Sequence, residues 1–200
     1  SSAQLGVSPG TSGFWGVTSP VQWSAAARNE LLFKFRSQVD PAFRLMRVGT
    51  DGTGFAPTPG TPDGITMTGY VGSFGVADDG VTLYYSADTN TLNVYSLYRT
   101  TLGTGSSSLV GTAATVGRVD FNRAIESNAL SSRFAFSSNW ATGSQYEPWV
   151  VATNGAPVRL ATFPALSYID DFMWSPDSSQ LAIVSDFRTD EFFELALLPS

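Results

Sequence analysis

Any chemistry in this chain would have to come from carboxylates. The 200 residues contain no histidine and no cysteine, which removes imidazole bases, thiol nucleophiles, disulfides and the usual zinc ligands together. Paired acids remain, and these can hydrolyse glycosides or hold calcium without histidine. Asp170 and Asp171 in "IDDF" and Asp120 in "RVDFN" stand at matching points of the chain, which makes Asp120 and Asp171 the candidate metal ligands. Neighbouring residues of a strand point to opposite faces, so only one of Asp170 and Asp171 can line a shared channel. The corresponding earlier places hold Ser19 or Pro20 and Gly72 or Ser73. No complete oxygen cage is evident, so the expectation is a chain without a cofactor, with calcium as the alternative.

Other catalytic arrangements fail on residue type. There is no Gly-x-Ser-x-Gly elbow, and serine without histidine lacks its ordinary base. The single lysine, Lys34, lies in the alternating stretch "LLFKFRS" with no glycine-rich loop before it, so a phosphate loop is excluded and strand-end solvation is expected for it. "ADTNTLN", from Ala87, has oxygen side chains at alternate positions but lacks the glutamate and glycine spacing of an EF-hand, and reads as a turn. No catalytic residue is assigned. A net charge of −6 with scattered arginines gives no phosphate-binding surface, so nucleic acid is not an expected partner.

Binding has a better candidate than catalysis. Trp140 lies in "SSNWATGSQYEPW", a long connection between apolar stretches, and surface loops carry binding more often than strands do. With Tyr146, and with Phe187 in "SDFRTDEF", it could form an aromatic patch for a protein or glycan partner. Equally, Trp140 could fold down onto the sheet beneath it.

The elements that would position these residues are strands. In "FMWSPDSSQLAIVSD" an apolar run stops at Ser-Pro-Asp-Ser-Ser and restarts; Pro176 cannot donate to a ladder and Asp177 can bond nearby backbone, so both are turn makers. Three relatives of this unit occur, "WSAAARNELLFKFR" from Trp23, "VADDGVTLYYSAD" from Val76 and "ESNALSSRFAFSSN" from Glu126. Leu31, Leu83, Phe134 and Leu181 mark the same place in the four copies, at spacings of 52, 51 and 47. Each copy continues into an apolar strand, beginning near Phe43, Leu92, Pro148 and Phe192, and the first three into a weaker fourth. Four strands per unit of about fifty residues is the period of a β-propeller blade. Trp23 and Trp174 share one repeat position, and packing between neighbouring blades is expected of both.

The unit "WSPDSSQLAIVSD" resembles the propeller repeat of the TolB-like family, in which Trp-Ser-Pro-Asp-Gly precedes an Ile-Ala-Phe-Ser-like strand; here Ser178 stands where that family has glycine. The resemblance implies an all-β fold, a β-propeller of about four blades of four-stranded antiparallel sheets within a larger, six- to eight-bladed ring. The expected division is an N-terminal linker or closing strand at 1–16 and blades at 17–63, 64–115, 116–164 and 165–200, the last lacking its outer strand. The same resemblance implies a non-catalytic scaffold for protein interaction, periplasmic, on the cell surface or secreted. A second reading is the accessory propeller of a prolyl-oligopeptidase-like hydrolase, and a third is a carbohydrate- or calcium-binding propeller. Partners would be another protein, a glycan or further blades. No apolar run is long enough for a membrane span.

Overall fold

Strands in this chain are apolar on both sides, and that decides how they assemble. In "ELLFKFRS" the odd positions Leu31, Phe33 and Phe35 take one face and Leu32 and Lys34 the other; in "TLYYSA" Leu83 and Tyr85 oppose Tyr84 and Ser86. Such a strand must be covered on both faces, as in sheets sandwiched between other layers. The computed structural model describes residues 14–23, 29–37, 42–62, 69–77, 79–91, 94–111, 126–127, 133–152, 155–164, 167–189 and 192–199.

These residues form four antiparallel meanders. The first is β1 (Phe14–Trp23), β2 (Glu30–Ser37), β3 (Arg44–Gly49) and β4 (Ala56–Pro57). The second is β5 (Val71–Val76), β6 (Thr82–Ala87), β7 (Ser96–Thr101) and β8 (Ser107–Gly111). The third is β9 (Glu126–Ser127), β10 (Arg133–Ser138), β11 (Glu147–Ala152) and β12 (Pro157–Arg159). The fourth has three strands among the described residues, β13 (Ile169–Trp174), β14 (Gln180–Thr189) and β15 (Phe192–Pro199). Residues 14–16, assigned by the sequence to a linker or closing strand, are part of β1; residues 1–13 lie outside the described residues.

Register preserves the repeat. Trp23 pairs with Leu31, Val76 with Leu83, Ser127 with Phe134 and Trp174 with Leu181. The innermost strands lie beside one another in the order β1, β5, β9, β13, so the sheets succeed each other as blades around an axis. Strands β1 and β13 are not among the closely packed pairs of the described residues.

Three apolar layers fill the spaces between blades. Leu32 and Leu45 of blade 1 meet Phe74, Leu83 and Tyr85 of blade 2. Tyr84 and Leu97 on the opposite face of blade 2 meet Phe134, Phe136 and Val151 of blade 3. Ala135 and Val150 on its far side meet Phe172, Trp174, Leu181 and Ile183 of blade 4. Each fully buried Leu, Ile or Phe contributes roughly 2 kcal/mol, so these layers dominate the folding energy.

Polar links cross the same gaps. The Gln22 side-chain oxygen accepts from the Val76 backbone N–H at 2.8 Å, and the Phe43 carbonyl from Val71 N–H at 2.9 Å. Lys34, expected to be solvated at a strand end, is instead buried; its ammonium donates to the Gly72 carbonyl of β5 at 2.6 Å and sits over the Phe43 ring. It lies on the blade-2 side of β2, where no solvent remains, and a buried ammonium needs such a partner.

The turn between β13 and β14 answers the interruption seen in the sequence. Ser175 N–H donates to the Gln180 carbonyl and Ser178 N–H to the Ser175 carbonyl, closing a tight loop that forces Ser178 to φ +60°. The equivalent residue of blade 2, Gly80, has φ +70°. A left-handed conformation costs a residue with a Cβ about 1 kcal/mol and glycine almost nothing. Ser178→Gly is therefore expected to raise the thermal midpoint by roughly 2–4 °C, and Gly80→Ser to lower it by a similar amount, when followed by circular dichroism.

Candidate functional site

A propeller presents its connections on two rims. One carries the turn between the first and second strands of each blade, the other the connection between the second and third.

On the first rim an aspartate organises each described turn. Asp177 accepts from Ser175 Oγ at 2.6 Å, Ser179 N–H at 3.1 Å and Ser179 Oγ at 2.9 Å. Asp79 accepts from Val81 N–H at 2.9 Å, Thr82 N–H at 2.8 Å and Thr82 Oγ1 at 2.7 Å. The donation from Ser175, reinforced by Ser179, brings the Asp177 carboxyl down from 3.8 to about 2. For Asp79 burial pushes upward, but the hydrogen bonds from Thr82 and Val81 outweigh it and the carboxyl is lowered. Both acids act as turn scaffolds, and Pro176 lies exposed beside Asp177 in the same turn.

The second rim carries two residues of the proposed aromatic patch, Trp140 and Tyr146, and they pack toward different blades. Trp140 is only 9% exposed. Its ring packs edge-on against Phe136 and Trp149, and its indole N–H donates to the Tyr95 carbonyl of blade 2 at 3.2 Å. It points toward blade 2, whereas the half-buried Tyr146 turns the other way and meets Tyr168, at the entry to blade 4, edge-on at 6.5 Å. Phe187 lies in β14, and its side chain is outside the described residues. The presented part of this loop is the exposed tip Ala141 to Ser144, with Asn139 Nδ2 donating to the Gly143 carbonyl and Trp140 as its anchor.

Of the candidate metal residues, the structure describes Asp171. Asp120 lies outside the described residues. Asp171 is exposed, accepts from Phe172 N–H at 2.9 Å, and shares its face of blade 4 with Val184, away from blade 3. Among the described residues no group of three His, Cys, Asp or Glu could hold a metal ion.

Trp174 sits in the layer between blades 3 and 4 at 9% exposure, but Trp23 is 55% exposed. The two have the same register; what differs is that no described sheet precedes blade 1. Packing between neighbouring blades is thus not the state of Trp23 within this chain.

Sequence reasoning gave no role to a second pair of aspartates, Asp88 and Asp186, which fall at equivalent strand ends of the repeat. Asp88 accepts from Tyr70 N–H at 2.5 Å, and Asp186 from Tyr168 N–H. Each is almost fully buried, Asp88 just past β6 and Asp186 within β14, and ties down the entry to its own blade's inner strand. The signal was present as two Tyr-to-Asp intervals of 18 residues in equivalent places. A polar hollow of about 400 Å³ lies beside Asn29, Glu30, Thr50 and Asp51. Its acids are engaged, Glu30 with Arg47 at 3.2 Å and Asp51 with Thr53, so it assembles no acid–base pair.

No protein-family model and no curated protein matches the sequence. Solved structures do match the fold. TolB from Acinetobacter baumannii superposes with a TM-score of 0.61 at 15% identity, over 91% of this chain and 40% of that one. The fold is that of a TolB-like β-propeller. The chain is similar also to a structure from a study of two prolyl endopeptidases, with a TM-score of 0.62 at 14% identity, over 90% of this chain and 26% of that one. An oligogalacturonate lyase in complex with manganese gives 0.60 at 16% identity, over 86% and 45% respectively. The chain thus spans less than half the length of each.

Because the Asp177 carboxyl is held below its unfolded value, it stabilises the fold fully above about pH 4, and that contribution is lost as pH falls toward about 2. Asp177→Asn should therefore show a smaller loss of unfolding free energy between about pH 5 and pH 2 than the unaltered chain, in urea titrations at each pH.

Proposed function

We propose that this chain is a non-catalytic propeller scaffold that binds a protein partner through the rim bearing the 139–146 loop, in the bacterial envelope or outside the cell. The observation that carries the reading is the anchoring of that loop: Trp140 fixes its base in the layer between blades 2 and 3, while Ala141 to Ser144 stand in solvent. A tip held in one conformation loses little entropy on binding. Supporting it, the sequence has no histidine or cysteine, and Asp79, Asp88, Asp177 and Asp186 are used to hold backbone and turns. The envelope location is supported by likeness to TolB structures and by a cysteine-free sequence that tolerates oxidising surroundings.

A photo-crosslinking residue placed at Thr142 in producing cells should give one discrete adduct with another protein, absent when the same residue replaces Ser179 on the opposite rim. Equal adducts from both rims, none from Thr142, or turnover of peptide or oligogalacturonate substrates by the purified chain would contradict the proposal. A second reading, the accessory propeller of a peptidase, is supported by the prolyl endopeptidase likeness. A Gly-x-Ser-x-Gly elbow followed by histidine in the same open reading frame would favour it.

A further inference from the structure

The base of the 139–146 loop is seated against a residue of another blade that has no side chain. Gly111 ends β8, the outer strand of blade 2. A Cβ placed on it would lie 3.1 Å from both Cη2 and Cζ3 of the Trp140 ring and 3.0 Å from Cγ of Pro157. Carbon atoms pack best at about 3.5–4.0 Å, so the indole occupies space that a methyl group would need. Gly111 has no left-handed φ. Close approach, and not backbone conformation, is therefore what the glycine serves.

The ring has little room to retreat. Phe136 and Trp149 meet it edge-on at centroid separations of 5.4 and 5.7 Å, and its N–H is bonded to the Tyr95 carbonyl. The backbone beside it is tied as well: Trp140 N–H donates to Ser138 Oγ at 3.2 Å, and Gly143 N–H reaches back to the Asn139 carbonyl at 2.7 Å. A shift of the indole is passed by these bonds to the exposed tip.

Register shows that the two residues are matched in size. Leu45, Leu97 and Pro148 occupy one repeat position, opposite Lys34, Ser86 and Ser137. Next to them on the outer side stand Thr58, Gly111 and Leu160. Thr89 follows Leu83 by the six residues that separate Trp140 from Phe134. The seam between blades 1 and 2 thus combines Thr58 with Thr89, and the seam between blades 2 and 3 combines glycine with tryptophan.

We propose that Gly111 is a positioning residue of the partner-binding loop: by leaving its Cβ position to the Trp140 ring, blade 2 sets the conformation in which blade 3 presents Ala141 to Ser144. The proposal rests on the binding role given to that loop above and extends the site to the outer strand of the neighbouring blade.

Hydrogen exchange of the loop amides reads the positioning without any partner. Gly111→Ala adds one methyl group and should speed exchange about tenfold at Gly143 and at Gln145, whose N–H donates to Thr142 Oγ1, while the amides of blade 4 stay unchanged. In a Trp140→Phe background, which removes the two ring atoms that meet Gly111, the same change should add nothing. Loop amides that do not respond to Gly111→Ala, or that respond equally in both backgrounds, overturn the proposal. The binding arm uses the photo-crosslinking residue at Thr142 in producing cells, where Gly111→Ala should lower the adduct yield roughly fivefold, because a loosened tip pays more entropy on binding. An unchanged yield from a loosened tip also overturns it. An unaltered protein that gives no adduct sinks the binding role itself, and the exchange comparison still decides whether Gly111 positions the loop.

Discussion

A four-stranded sheet with Leu83 and Tyr85 on one side and Tyr84 and Leu97 on the other has no side to give to water. Two such sheets placed face to face satisfy one face each and leave two more open, so the stacking repeats. The twist of each sheet turns the stack around an axis, and the chain follows it blade by blade. Other features of the fold answer to this constraint. Lys34 reaches across to the Gly72 carbonyl because its position on β2 faces the next blade. Tyr85 donates its hydroxyl to the Gly60 carbonyl, and burial pushes its pKa up to about 12, so it stays a neutral donor. Trp140 closes the rim of one gap with its ring and binds blade 2 through its N–H.

Polar clamps hold the described rims of blades 2 and 4. Asp88 and Asp186 tie down the entries to the inner strands, and Asp79 and Asp177 close the turns that follow those strands. Aspartate performs these tasks because it is the shortest side chain with two strong acceptors, able to collect several N–H and O–H donors from its own turn. The same employment takes those acids out of the inventory from which a catalytic pair would be drawn.

Strands and their period were legible in the sequence because binary pattern and turn chemistry are local. Pro176, Asp177 and the repeat position shared by Leu31, Leu83, Phe134 and Leu181 point to the same meander that the register shows. The destinations of individual side chains were not legible wherever they depend on a neighbouring blade. A tryptophan in a glycine- and serine-rich connection reads equally as exposed or as folded down, and Trp140 is decided by a waiting carbonyl on another sheet. A lysine at a strand position reads as solvated, yet Lys34 lies under blade 2. Trp23 errs in the opposite direction, since its repeat position promises burial and the covering sheet is not among those described. Asp88 and Asp186 were visible as aligned residues, but their role requires the inner strand 18 residues earlier to be beside them.

Face-to-face contact between consecutive blades is the central claim, and Tyr84 and Phe134 carry it most directly, with ring centroids 4.1 Å apart across the gap between blades 2 and 3. A double-mutant cycle with Tyr84→Ala and Phe134→Ala, measured by urea unfolding, reads their interaction. Stacked blades predict a coupling energy above about 0.5 kcal/mol, as residues in contact show. Additivity of the two single changes to within about 0.3 kcal/mol would mean that the two rings do not meet, and would contradict the stacking of blade 2 on blade 3.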